Sequence, residues 1–540
     1  MAAPSVPQEL IRGEAPTRAA RLAAWAPVLL AVFFSFSALR GVGSTNVVDT
    51  DGARHGMNGA FIYDLVRTGN LTRPIEYAKE YYGHLPALSM PFHPPLFPAI
   101  EAVFFAIFGV KYLTARVAVA LAVGLAAILL YRLVVATHGS AALAACVTAT
   151  TFALWTYQQV GKDIMLEYPA MVFTLAALTC LVGIDREYTL RRALLFAVLA
   201  SAAVWTKQHA VFLGLVPPLY ALMTRRWRLL FGKSLWVSSA IFGAAVFALQ
   251  VFSNHFHGSR VDPNSVGATP RDLALIVRQN VNIYGAWIAQ KVIGLSGIAV
   301  VVSVPLYGWA VYKRGWTKLN LGVYLAWIVA VSGILLVLGA VSPRYMFFML
   351  PAVVMVFYRL LFAGCEALWG NRNAWRLPAI FALAWSISGW MDPPEFLRGP
   401  AEAAAAVVQG KPTRVVYAGE ADGNFIFAVR SLDPRLEVSV IPAEKLSPAT
   451  LEPAAFEHFC RRHGIEWLVI EDVPRPHKWS ALTRDHLASM KLERSLPLQS
   501  NRPRWQGGDI KIYHFAASSE PPADVLRLPL DRIGGFVDMR

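Results

Sequence analysis

The chain has few charged residues for its length, and this scarcity determines its class. Charged residues make up 16% of the 540 positions, whereas hydrophobic residues make up 56%. A soluble domain of this composition would expose far too much apolar surface to water. The sequence therefore predicts an α-helical polytopic membrane protein and excludes an ordinary soluble enzyme.

Cysteine and the common catalytic motifs are also scarce. Of the four cysteines, Cys146, Cys180 and Cys365 lie in or beside apolar runs, so no disulfide framework or zinc spacing can be built. We find no Ser-His-Asp pattern and no glycine-rich phosphate loop, and the pair His255 and His257 lacks a third metal ligand at suitable spacing. The sequence indicates neither a cofactor nor a metal site, and a divalent cation stays an open alternative.

Acidic residues are outnumbered by basic ones, 35 against 50, which gives a formal net charge of +15. Such a charge can indicate a nucleic-acid partner. Most of the surplus, however, lies in short clusters between apolar runs, where it is the positive-inside signal of membrane proteins. We expect membrane lipids, and no nucleic acid, as partners.

Apolar runs recur along residues 22–391 and predict about eleven membrane spans. The first, Leu22–Leu39, has about 18 residues, longer than the 7 to 15 residues of a signal-peptide core. It predicts an uncleaved anchor after a cytoplasmic N-terminus, residues 1–21. Ten further runs approach the length required for a bilayer core of about 30 Å. They are Leu113–Val135, Ser140–Tyr157, Met165–Ile184, Arg192–Thr206, Ala210–Met223, Ser234–Phe252, Trp287–Tyr312, Leu319–Ala340, Tyr345–Cys365 and Trp375–Met391.

One more run, Pro94–Val110, is short and begins with two prolines, and its placement decides the topology. If it does not cross, nearly every dense basic cluster, such as 225–233, lies in the cytoplasm; if it crosses, these clusters move outside, against the usual bias. We therefore predict an interfacial helix or re-entrant hairpin within one extracytoplasmic loop, residues 41–111. The transmembrane domain then covers residues 22–392 of a multi-pass protein of a bacterial-type inner membrane, with 253–286 as another outer loop.

Residues 393–540 have the composition of a soluble domain. Four short β-like runs, Arg414–Ala418, Glu437–Ile441, Trp467–Ile470 and Ile510–Phe515, are separated by helical stretches at Ala449–His463 and Thr483–Met490. This alternation predicts a small α/β domain, extracytoplasmic by the same topology.

Ionisable residues gather at the predicted outer ends of several spans. Such groups are costly near hydrocarbon and are therefore candidates for function, although lysine and arginine can also extend to lipid headgroups and an ion-pair network can be purely structural. The candidates are Asp49, Asp51, Arg54, His55, His93, Asp163, Glu167, Lys207, His209, Arg344 and Tyr345.

In their order and spacing, these segments resemble the C-type membrane glycosyltransferases, and more narrowly the bacterial family 39 transferases, relatives of protein O-mannosyltransferases and of the aminoarabinose transferase. The resemblance covers Leu22–Cys365. The family's D-E-x-x-Y pattern falls on residues 51–55 and K-P-P-L on 93–96, while M-x-D-x-P falls on 165–169. L-T-K-G corresponds to 205–208, and R-Y corresponds to Arg344 and Tyr345.

The resemblance implies a polyprenyl-phosphate sugar as donor and an extracytoplasmic acceptor, such as a glycolipid, a glycan or a protein. Asp51 corresponds to the catalytic carboxylate, with Asp49 as its rival because Gly52 and His55 depart from the pattern. Asp51 would act as base in one inverting displacement.

The remaining candidates take supporting roles. Glu167 stands where the family has aspartate, and Asp163 can share its role. Lys207 and Arg344, joined by Arg54, would bind the donor phosphate. His55, His93, His209 and Tyr345 are further site candidates.

Two other functions stay open from the sequence. A transporter or flippase of lipid-linked saccharides would also bind phosphate with basic residues, although the acids gather on one face instead of at the midplane and no inverted repeat is evident. A membrane scaffold or sensor would account for the soluble domain but not for the charged helix ends.

Overall fold

The computed structural model describes residues 18–43, 50–184, 189–255, 270–287, 294–315, 319–338, 342–474, 490–515, 526–529 and 536–539. Asp49 lies outside these residues, and so does His257. The predicted helix at Thr483–Met490 also lies outside them, except for Met490.

The part of the chain before residue 393 is helical. Its helices are α1 (Arg18–Ala38), α2 (Thr50–Arg67), α3 (Pro74–His84), α4 (Leu96–Phe108), α5 (Tyr112–His138), α6 (Ala141–Ala153), α7 (Trp155–Gly161), α8 (Glu167–Ile184), α9 (Leu190–Thr206), α10 (Val216–Met223), α11 (Lys233–His255), α12 (Pro270–Trp287), α13 (Gly294–Arg314), α14 (Gly322–Val337), α15 (Leu350–Trp369) and α16 (Arg376–Met391).

Helix α5 lies at the centre of the membrane domain. Its largely apolar sequence has no proline, and it ends where Gly139 takes a left-handed conformation with φ of 67°. α1, α6 and α8 pack against it, and α9 packs on α8. Large apolar side chains at Phe36, Ile107 and Phe247 stay 66–70% exposed on the outside of the bundle, as expected for surfaces that face lipid instead of water.

Within the described residues, three helices have the length and hydropathy to cross a membrane: α5, α11 and α15. Shorter apolar helices accompany them, including α1, α6, α8 and α14. The predicted apolar runs therefore form helices, while the number of eleven spans stays a prediction. The predicted outer loop at 253–286 includes the amphipathic helix α12, and its extracytoplasmic location stays a prediction.

The first predicted loop, residues 41–111, folds into α2, α3 and α4. α4 has 13 residues, and at 1.5 Å per residue it is about 20 Å long, short of a bilayer core of about 30 Å. Its length is that of the predicted interfacial or re-entrant segment.

The C-terminal region is an α/β domain, as predicted. It contains the strands β1 (Leu397–Arg398), β2 (Thr413–Ala418), β3 (Val438–Pro442), β4 (Trp467–Asp472), β5 (Lys491–Ser500), β6 (Gly508–His514), β7 (Leu526–Pro529) and β8 (Phe536–Met539), with helices α17 (Pro400–Val407), α18 (Asp422–Leu432) and α19 (Pro453–Arg462). The mixed sheet has the order β1-β5-β6-β4-β2-β3, in which β2 is parallel to β3 and β4, and β6 is antiparallel to β4 and β5.

Helices α2 and α3 share a hydrophobic core with this domain instead of standing apart as a loop. Phe61 and Tyr81 belong to the same buried cluster as Phe425 and Phe427. A Cβ on Gly56 would lie 2.9 Å from the ring of Phe427, so glycine permits the close approach of α2 to α18. This packing fixes the first turn of α2 between the membrane helices and the C-terminal domain.

Candidate active site

Asp51 lies in the first turn of α2, where a carboxylate complements the positive end of the helix dipole. One third of its side chain, 33%, is exposed. Its carboxylate Oδ2 accepts a hydrogen bond of 3.0 Å from Nη2 of Arg344. Asp51 and Arg344, which are distant in sequence, are thus in contact, as expected if the charged helix ends form one cluster.

Arg344 contacts two carboxylates at once. It lies in the 3₁₀ segment Pro343–Phe348, which is capped by Ser342 and leads into α15. Besides its bond to Asp51, its Nε lies 3.1 Å from Oε1 of Glu167. The guanidinium therefore bridges a partly exposed carboxylate and a buried one.

Glu167 begins α8 and is fully buried, at 0% exposure. Its Oε1 also accepts a 2.8 Å hydrogen bond from Nζ of Lys207, which follows the end of α9 at Thr206. Two carboxylates and two cations thus form the series Asp51–Arg344–Glu167–Lys207, which we call the charge chain. Pairing each buried charge offsets the large cost of removing it from water.

Burial raises the pKa of the Asp51 carboxyl, but the hydrogen bond and the positive charge of Arg344 outweigh it, with further contributions from His93 and Arg54. The net result is a pKa below the usual value of 3.8. In this state Asp51 is ionised at neutral pH and its lone pairs are directed to Arg344.

The predicted histidines lie beside this carboxylate. His55, one turn after Asp51 on α2, is buried, and its ring centroid is 4.5 Å from that of His93 in an edge-to-face arrangement. His209 stacks with Tyr345, with centroids 4.3 Å apart. Both pairs flank the charge chain, one on the side of Asp51 and one on the side of Arg344.

Two predicted site residues have other contacts. Arg54 directs its Nη2 to Asp422 of α18, 3.6 Å away, instead of joining Lys207. Asp163 is buried, and its Oδ1 accepts a hydrogen bond from the backbone N–H of Ile164. Arg54 still lies close enough to Asp51 to lower its pKa.

Sequence reasoning missed Asp422, the residue through which the C-terminal domain reaches the site. It is buried, and it closely follows β2 at the carboxyl end of a parallel strand. Polar residues at that edge of a parallel sheet are the signal that could have identified it.

Among the described residues, no group of three or more His, Cys, Asp or Glu side chains is arranged to hold a metal ion. The charge chain instead offers two basic groups beside two carboxylates. Such an arrangement can bind a phosphate and hold a proton acceptor next to it.

Comparisons with known proteins find a matching family model and structures of similar fold. Residues 92–255 match the family model described as dolichyl-phosphate-mannose-protein mannosyltransferase. That segment contains five of the predicted site residues, His93, Asp163, Glu167, Lys207 and His209. No curated protein matches the sequence.

Two crystal structures of ArnT from Cupriavidus metallidurans have a similar fold. The form bound to undecaprenyl phosphate aligns with a TM-score of 0.54 and 15% identity, over 92% of this chain and 98% of that chain. The apo form aligns with a TM-score of 0.57 and 15% identity, over 93% of this chain and all of that chain. The resemblance drawn from the sequence is therefore confirmed: the chain has the fold of the C-type membrane glycosyltransferases and is family 39-like.

Proposed function

We propose that the protein transfers a sugar from a polyprenyl-phosphate donor to an extracytoplasmic acceptor with inversion at the anomeric carbon. The observation that carries the proposal is the position of Arg344, which contacts Asp51 and Glu167 together. A cation that binds both a buried and a partly exposed carboxylate can exchange the partly exposed one for a phosphate.

The donor phosphate would enter where Asp51 now contacts Arg344. Glu167 is sealed inside the protein and keeps Lys207 and Arg344 in place, whereas Asp51 is accessible. Phosphate oxygens accept from guanidinium and ammonium groups at least as well as a carboxylate does. Donor binding therefore would divert Arg344 from Asp51 and leave that carboxylate available to the acceptor.

In the transfer step, an acceptor hydroxyl or amine attacks the anomeric carbon while the bond from that carbon to the phosphate oxygen breaks. The proton of the acceptor passes to Asp51, and the electron pair leaves with polyprenyl phosphate. Arg344 and Lys207 stabilise the charge that develops on the leaving phosphate, the kind of electrostatic contribution typically worth about 3–4 kcal/mol per donor group. One displacement inverts the configuration.

A lipid-linked donor also fits the predicted topology, in which α2, the charge chain and the C-terminal domain are extracytoplasmic. Nucleotide sugars are charged cytoplasmic compounds, so a site on the outer face requires a donor that has already crossed the membrane. Cysteine substitution at the exposed Ala455 of α19, with Arg226→Cys as the opposite-side control, tests this orientation. A membrane-impermeant maleimide applied to intact cells should label position 455 and not 226, and the reverse pattern would overturn the topology.

The activity itself is tested with purified protein and a radiolabelled polyprenyl-phosphate sugar. Release of free polyprenyl phosphate that depends on the protein supports transfer. A flippase would move the intact donor across vesicles without releasing it, and a scaffold would do neither. Either of these outcomes would reject the proposal.

A further inference from the structure

A second group of basic residues lies outside the charge chain, at the ends of α1, α5 and α7. It consists of Arg40, Arg116 and Lys162, and we call it the second basic cluster. Arg116 is 1% exposed and Lys162 is 5% exposed. Burial of two cations side by side is costly unless an anion accompanies them.

Contacts between helices hold these cations together. Arg116 donates through Nη2 to the backbone carbonyl of Ala38, two residues before Arg40. The hydroxyl of Ser37 donates to Oε1 of Gln158, 2.8 Å away and one turn before Lys162, which ties α7 to the same end of α1. The cluster is therefore built by the packing of α1, α5 and α7 and does not depend on flexible surface side chains.

Two of these cations have side-chain N–H donors that make no hydrogen bond within the described residues. In the part of the chain that the structure describes, neither Nζ of Lys162 nor Nε of Arg116 has a hydrogen-bond partner, and both atoms are shielded from water. Buried polar groups are nearly always bonded, so each such donor requires an explanation. An ammonium group and a guanidinium group are donors without any acceptor capacity, so only an acceptor, and best an anion, satisfies both.

The nearby acids do not balance the cluster. The pKa of Lys162 is lowered to about 8, mainly by burial and also by the charges of Arg40 and Arg116, while Asp392 and Glu395 oppose this shift in part. Glu395 already forms an ion pair with Arg502. Asp392 is thus the main acidic neighbour of Lys162.

A groove opens at the junction with the C-terminal domain, next to the N-terminal end of α5. It has a volume of about 210 Å³ and is bounded by Lys111 and Tyr112 on one side and by α17 and α18 on the other. The hydroxyl of Tyr112 accepts a 2.5 Å hydrogen bond from Nη1 of Arg116, so the wall of the groove contacts the cluster directly. The buried amide of Asn424, which lines the groove, also lacks a hydrogen-bond partner among the described residues.

We propose that the second basic cluster is an anion site that binds the phosphate of an anionic lipid, whose headgroup lies in the groove beside Tyr112. Arginine matches phosphate geometry well, and the start of an apolar helix such as α5 lies at the depth of lipid headgroups. Lys111 adds a positive charge at the groove, and Asn424 offers an amide to headgroup hydroxyls. The site is separate from the charge chain and does not depend on the proposed transfer reaction.

The test uses the full chain, delipidated in detergent, and measures thermal unfolding with dioleoyl phosphatidylglycerol, with dioleoyl phosphatidylcholine, or with inorganic phosphate. Phosphatidylglycerol should stabilise the wild type, phosphatidylcholine should not, and inorganic phosphate should compete with phosphatidylglycerol. Lys162→Met and Arg116→Gln should weaken lipid binding about tenfold each, the effect of one lost charge-assisted hydrogen bond. Arg132→Gln, at the exposed opposite end of α5, is the matched control and should bind like the wild type.

Folding of the variants is assessed without lipid. Nζ of Lys162 makes no hydrogen bond within the described residues, so Lys162→Met should unfold at the wild-type temperature or above it, because a buried charge without a hydrogen-bond partner is removed. A lower unfolding temperature would mean that Asp392 already satisfies Lys162 and would overturn the proposal. Unchanged lipid affinity in both cluster variants, or equal stabilisation by the two lipids, would also overturn it, and stabilisation by inorganic phosphate alone would reject the lipid as its source.

Discussion

The charge chain and the junction of the two domains both pair an arginine with a buried carboxylate. They differ in whether the arginine contacts one carboxylate or two. At the junction, Arg430 of α18 donates two hydrogen bonds, of 2.7 and 2.6 Å, to the two oxygens of Asp64 on α2. Their side chains are 3% and 0% exposed, and Tyr81 donates to the same carboxylate at 3.2 Å. In the charge chain, Arg344 is 23% exposed and divides its contacts between two carboxylates.

This difference separates a structural ion pair from an exchangeable one. A bidentate pair closed on all sides offers no space to a competing anion, so it fixes the C-terminal domain on α2. A single bond to an accessible carboxylate can be replaced by a phosphate without exposing a buried charge, because Glu167 remains paired with Lys207. The same residue types therefore give rigidity at one place and substrate binding at the other.

The largest expected effect comes from removing the basicity of Asp51. Asp51→Asn keeps the shape of the side chain and should lower turnover 10²–10⁴-fold, the usual contribution of general-base catalysis, without weakening donor binding, because the phosphate no longer has to displace a carboxylate from Arg344. Steady-state assays of polyprenyl phosphate release measure it. Asp49→Asn is the control and should cost less; the opposite order would make Asp49 the base.

Breaking the Asp64–Arg430 pair should affect the stability of the fold instead of turnover. Arg430→Leu removes the buried cation that pairs with Asp64 and leaves Asp64 in contact with the more exposed Arg67, 3.2 Å away, and with Tyr81. Breaking a buried pair typically costs about 3–5 kcal/mol. Thermal or denaturant unfolding should show this loss, while Asp64→Leu combined with Arg430→Leu should recover most of it. If the single variant were as stable as the wild type, the junction would not depend on this pair.

Arg344→Ala and Lys207→Ala should weaken donor binding or slow turnover by about 10²-fold, in line with the loss of one charge-stabilising group in a catalytic site. The measurement is a titration of undecaprenyl phosphate together with steady-state kinetics. Arg132→Gln, exposed on α5, serves as the control. Wild-type affinity and turnover in both alanine variants would remove these residues from the phosphate site and leave them as anchors.

Asp422 should have a smaller influence, because it acts on the site only through Arg54. Burial raises the pKa of Asp422, while Arg54 opposes this rise. Because the pKa of Asp422 is raised in the folded protein, ionisation of this carboxyl above that pKa lowers the stability of the fold. Asp422→Asn should therefore not destabilise the protein at neutral pH. We expect a loss of turnover of less than about tenfold, the range of a partly exposed ion pair, and a loss as large as that of Asp51→Asn would make Asp422 part of the catalytic machinery.

Local patterns in the sequence predicted most of the fold. Apolar runs identified the membrane helices, and β-branched runs identified β2, β3, β4 and β6. Strand β5 was missed because its residues are largely polar and exposed and include Pro497. Its place in the sheet is set by pairing with β6, because its own sequence does not alternate regularly between apolar and polar residues.

The site could be predicted only as a set of helix ends. Charged residues beside apolar runs indicated Asp51, Glu167, Lys207 and Arg344, and the structure joins these four. Their pairing depends on how the helices pack, which residue spacing does not encode. The Asp64–Arg430 pair escaped prediction for the same reason, since its partners lie in separate domains.

The most direct test of the exchange at Arg344 is the pH dependence of the reaction. In the free protein Arg344 holds the pKa of Asp51 below 3.8, and burial alone would raise it. If donor phosphate diverts Arg344, the pKa of Asp51 must rise in the donor complex. The acid limb of kcat, which reports the complex, should therefore lie at higher pH than the acid limb of kcat/KM, which reports the free protein. Coincident limbs, or a limb of kcat at lower pH, would contradict the account.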